Sequence, residues 1–85
     1  MPISKLNEVV VGNNPQAVAY GDDSVWVVNQ TANTLSRVDL ITFTVTATIT
    51  TSLNPQDVTY GASHVWVSTS SLDRVNKIDP TTNAV

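Results

Sequence analysis

Few side chains in this chain could do covalent chemistry. There is no cysteine and a single histidine, and seven acidic residues stand against four basic ones. His64 follows a Gly-Ala-Ser turn sequence and is expected to be an exposed turn residue. It becomes a metal ligand only if several copies of the chain cluster their neutral imidazoles around one axis. Asp57 reads the same way: alone it is a solvated carboxylate, and only symmetry would gather enough copies to hold a cation. Asp22-Asp23 lacks the alternating acids and distal glutamate of a calcium loop, so turn formation explains it better. Glu8 falls in a segment read as an outer strand. A nucleophile needs a base within hydrogen-bond reach, and His64 is the only imidazole on offer. No catalytic residue, resident metal or cofactor is therefore assigned.

The remaining polar chemistry is neutral. Asn14, Gln16, Asn29, Asn33, Asn54 and Gln56, together with Asp57, are the candidate ligand-binding residues. They fall in or beside segments 12–14, 29–33, 52–54 and 69–73, which are expected to share one end of the fold. Amides both donate and accept hydrogen bonds, so such a face suits a small polar ligand or a glycan. The same residue types also form turns without binding anything.

The elements that must position these groups come from an internal repeat. Asn14-Pro15-Gln16-Ala17-Val18-Ala19-Tyr20-Gly21 returns 40 residues later as Asn54-Pro55-Gln56-Asp57-Val58-Thr59-Tyr60-Gly61. Val25-Trp26-Val27 returns as Val65-Trp66-Val67, and Arg37-Val38-Asp39 as Lys77-Ile78-Asp79. A period of this length marks one supersecondary unit per repeat. Each unit is expected to hold strands at 16–20, 25–29, 34–39 and 44–51, repeated at 56–60, 65–69 and 74–79. Segment 44–51 alternates threonine with Val45, Ala47 and Ile49, the period of a strand with one buried face. Its counterpart, 40 residues earlier, is 6–11. Trp26, Trp66, Tyr20 and Tyr60 are expected to fill the space between units, with sugar stacking as the other role open to them.

Pro-x-x-Val-x-Tyr-Gly, then Val-Trp-Val, then Arg-Val-Asp or Lys-Ile-Asp-Pro-Thr-Thr-x-x-Val resembles the blades of YVTN/NHL-like and streptogramin (virginiamycin B) lyase-like β-propellers. The resemblance spans nearly the whole chain. It implies an all-β fold of four-stranded antiparallel blades. Residues 13–52 would form the first blade and 53–85 three strands of the second. Residues 1–12 would supply the outer strand that completes a neighbour's blade. The lyases' metal-binding motifs have no residue-by-residue match here, so the resemblance carries fold rather than activity.

Two blades cannot close a propeller, which runs from about four to eight. The expectation is therefore a homo-oligomer closed head to tail, a six-bladed trimer favoured over a dimer or tetramer. In this reading the chain is a non-enzymatic ring serving as scaffold or binding surface; a lyase-like enzyme or a glycan-binding ring with sites across subunits is the alternative. The net charge of −3 gives nucleic acid no basic footprint. No apolar stretch suits a membrane span or a secretory signal, which makes the cytoplasm the default compartment.

Overall fold

The computed structural model describes residues 7–71 and 73–85. It contains strands and turns only: β1 (Pro15–Gly21), β2 (Ser24–Asn29), β3 (Thr34–Asp39), β4 (Val45–Thr50), β5 (Pro55–Gly61), β6 (His64–Thr69) and β7 (Arg74–Ile78). They form two antiparallel sheets in simple up-and-down order, β1-β2-β3-β4 and β5-β6-β7. No described helix is long and apolar enough to cross a membrane.

Turn chemistry sets this meander. Asp22 and Asp23 both adopt positive φ (54° and 54°), as do Ala62 and Ser63 (51° and 61°). Two consecutive left-handed residues make the hairpin turn whose twist matches that of the flanking strands. Asp39 closes the turn after β3: its Oδ1 accepts the Ile41 and Thr42 amides at 2.8 and 3.0 Å. Asp79 repeats the device on the Thr81 amide at 2.8 Å.

Strand alternation then sorts side chains to two faces. The register aligns Ala17, Val28, Leu35 and Ile49 in one row of the first sheet, and Ala19, Trp26, Arg37 and Ala47 in the next. This face packs on Val58, Val65, Val67 and Ile78 of the second sheet. Trp26, Leu35, Val65 and Val67 are fully buried there. Side chains of this kind each contribute about 1.5–3 kcal/mol on burial, so this inter-sheet seam is the main apolar stabilisation of the fold.

Two expectations need correction. The propeller built by oligomerised two-blade protomers is not what the chain forms: it holds two open antiparallel sheets of four and three strands, neither closed nor curled into a blade. The repeat defined the strand content of each unit but not the angle at which units meet, and closure depends on that angle. The six-bladed trimer loses its basis with it. Within the single chain residues 7–11 pair with no described sheet edge; the partner expected for them is a neighbour's sheet. Leu6, the rest of that expected strand, lies outside the described residues.

Candidate functional site

The loops at one end carry most of the candidate amides. Asn14 and Asn54 both sit at φ 59°, a conformation asparagine tolerates better than most residues. This turns their side chains back over the sheet ends. Gln16 Nε2 donates to Asn14 Oδ1 at 2.9 Å, and Asn14 Nδ2 donates to Gln30 Oε1 at 3.0 Å. Gln30 Nε2 then crosses to Asn54 Oδ1 of the second repeat at 2.8 Å. Gln56 Nε2 reaches the same oxygen at 3.3 Å. Asn54 Nδ2 gives its protons to Ser70 Oγ and Ser71 Oγ at 2.7 and 3.0 Å. Asn33 joins from below, its Oδ1 accepting the Asn54 amide at 2.8 Å.

Five of the predicted residues, Asn14, Gln16, Asn33, Asn54 and Gln56, thus meet in one string. Gln30, not singled out from the sequence, is its central link. The Asn54 side chain spends both its donors and its acceptor within the string. The string acts as a polar strap between the two sheets.

Two predicted residues lie elsewhere. Asn29 is fully buried. Its Nδ2 donates to Ser36 Oγ and Thr34 Oγ1 at 2.9 and 3.2 Å, which makes it a core polar residue rather than part of a ligand face. Asp57 stands on the second sheet's outward face. His64 turns its Nδ1 to Ala62 O at 2.9 Å and lies 6.2 Å from the Trp66 ring. Among the described residues no three His, Cys, Asp or Glu side chains are placed to hold a metal. With ring symmetry withdrawn, neither His64 nor Asp57 has copies around an axis to complete a site.

Arg37 was missed. It lies over the Trp26 ring at 4.6 Å and donates to Ser24 Oγ at 2.8 Å. It also pairs with Asp22 Oδ2 at 2.7 Å. Its Nη1 bonds Pro80 O and Asn83 Oδ1 at 2.6 and 2.8 Å, which fastens the turn after β7 to the first sheet. An arginine opposite a tryptophan in neighbouring strands was the available signal.

The second sheet's outward face holds a shallow depression of about 220 Å³, lined by Asp57, Val58, Thr59, Trp66, Ser68 and Val75. Lys77 Nζ lies 5.4 Å from the Trp66 ring beside it. On the opposite side of the molecule, the first sheet's outward face shows Val18 64 % and Tyr20 66 % exposed. Among the described residues neither face carries a nucleophile paired with a base.

Fold and site together define a small all-β domain of two stacked open sheets with one apolar and one mixed outward face. No family model and no curated protein matches the chain. That withdraws the resemblance to YVTN/NHL-like and lyase-like propeller families, whose motif residues are here accounted for by hairpin turns and the inter-sheet seam. Among solved structures, a Kuenenia stuttgartiensis hydrazine synthase chain superposes with a TM-score of 0.76 at 18 % identity over 82 % of this chain. The aligned part is 22 % of the hydrazine synthase chain, so this chain spans about a fifth of it. At that identity the likeness is one of fold. The ring scaffold, and with it the ring-borne lyase or glycan site, is corrected to a two-sheet domain with distant structural similarity to part of an enzyme.

Proposed function

We propose that this chain is a non-catalytic association module whose partner is a second copy of itself. The outward face of the first sheet of one copy covers the outward face of the second sheet of the next. One observation carries the reading: equivalent residues have opposite exposure in the two repeats. Val18 is 64 % exposed, while Val58 is 7 % exposed. Leu35 is fully buried, while Val75 is 63 % exposed. The first sheet's outward face is open at Val18 and Tyr20 beside the buried Ser36 and Val38, the second sheet's is open at Val75, and each open patch has the sequence of a patch that is buried inside the chain. A contact that joins unlike faces can repeat from copy to copy, because each copy presents both halves.

Tyr20 marks the contact. Its counterpart Tyr60 packs its ring directly over Gly21, with no room for a side chain there. Gly61, the counterpart of Gly21, has nothing over it. In the contact between copies, Tyr20 takes the place over Gly61. This interface is more polar than the internal one, since Asp57, Thr59 and Ser68 stand where the first repeat has Ala17, Ala19 and Val28. It is accordingly weaker, and its occupancy depends on concentration. Tyr20→Asp should return the protein to single chains in sedimentation velocity without changing its far-ultraviolet circular dichroism. A Tyr20→Asp protein that sediments like the unmodified one would overturn the reading.

A further inference from the structure

We infer that the open edge of β7 accepts residues 7–11 of a second copy as an added antiparallel strand. The inference rests on the association just described and specifies what else that contact brings together. In the first sheet the fourth place is filled by β4, which pairs with β3 through Leu35↔Ile49, Ser36↔Thr48 and Arg37↔Ala47. The chain then passes through residues 51–54 directly into β5 of the second sheet. The strand that completes one sheet is therefore the segment leading into the sheet stacked upon it.

The same arrangement between copies brings residues 7–11, which lead into β1, to the outer edge of β7. The second sheet has three strands, and among the described residues β7 pairs only with β6. Residues 7–11 lie in no strand, and Val10 is 90 % exposed. Shifting the β3–β4 register by the 40-residue repeat puts Val9 opposite Val75, Glu8 opposite Asn76 and Asn7 opposite Lys77. Val9 then extends the second sheet's outward row of Asp57, Ser68 and Val75, as Ile49 extends the row of Ala17, Val28 and Leu35 in the first sheet.

Charge selects this occupant. β7 carries Arg74 and Lys77, so two β7 edges brought together would repel. Glu8 falls diagonal to Arg74 on one face, within reach of a favourable cross-strand pair. Main-chain pairing provides attachment, and the alternation of Glu8 and Val9 fixes register.

The chain has no cysteine, so introduced thiols report cleanly. Val9→Cys and Val75→Cys are made as separate proteins, mixed, and treated with a short thiol-to-thiol cross-linker. The expected product is a dimer linked between positions 9 and 75, identified by peptide mass and lost on dilution to concentrations where light scattering shows single chains. Association with only 9–9 or 75–75 links would overturn the strand addition and leave the face-to-face reading intact. Failure of the unmodified chain to associate at all would overturn both. In a doubly substituted protein, a 9–75 link within one chain would show the segment folding back on its own β7, and would also overturn the inference. Hydrogen exchange gives a second readout: β7 amides should gain protection with concentration, and protection independent of concentration counts against the proposal.

Discussion

Gly21 and Gly61 occupy the same place in two repeats and meet opposite surroundings. A side chain on Gly21 would run into the Tyr60 ring, whereas one on Gly61 would point into open space. The difference extends along both sheets. Trp26 is fully buried and Trp66 half-buried; Pro55 is buried and Pro15 exposed. Nearly the same sequence has been used twice, and position in the stack decides which face of each copy finds a partner. Burial in this chain is therefore a property of the neighbour as much as of the residue.

The sharpest way to break the comparison is to truncate equivalent positions of the two repeats. Leu35→Ala should cost about 2–5 kcal/mol of unfolding free energy, because it opens a cavity in the seam. Val75→Ala, at an exposed site, should stay within about 0.5 kcal/mol in the single chain. Urea denaturation of dilute protein checks both, and equal losses would remove the asymmetry. Next in size is the glycine pair. Gly21→Val should cost about 1–3 kcal/mol through overpacking against Tyr60. Gly61→Val should leave the melting temperature of the single chain unchanged and weaken association instead.

Asp57→Ala sharpens the comparison from the other direction by restoring the first repeat's residue. It removes a carboxylate that would be desolvated between copies, at a cost to association. The variant should associate at lower concentration than the unmodified protein, and weaker association would place Asp57 outside the contact.

The smallest effect concerns pH. Hydrogen bonds from the Thr42 and Ile41 amides hold the Asp39 carboxyl below its ordinary value of 3.8, with desolvation acting in the opposite direction. The folded state thus favours the carboxylate more than the unfolded chain does. Its stabilisation is fully present above the ordinary carboxylate range and is lost as pH falls through the lowered value. Asp39→Asn should flatten the acid limb of a stability profile, read from melting temperatures across acidic pH. An unchanged limb would show that the turn does not depend on that charge.

Much of the local structure was legible in the residues. The span 34–39 for β3 agrees with the structure, and the other strand limits fall within a residue or so, because branched and aromatic runs were bounded by Gly, Asn and Asp. The amide loops do meet at one end. The arrangement of the sheets was not legible. A two-fold repeat fixes what each unit contains, while the way two units lean together depends on side-chain volumes across the seam. Asn29 looked like a loop residue because it ends β2, yet Ser36 opposite offers it a buried hydroxyl. Segment 7–11 has the composition of a strand, but a strand exists only against an edge, and within one chain that edge is elsewhere. Arg37 stood in the repeat without an assigned role, because only the fold brings Pro80 and Asn83 to it.

The central claim is that each outward face is half of a contact completed by another copy. Multi-angle light scattering over a dilution series tests it most directly. The account predicts a weight-average mass above that of a single chain at high concentration, falling to the single-chain value on dilution, with Tyr20→Asp remaining single throughout. A single-chain mass for the unmodified protein across the whole series would contradict it.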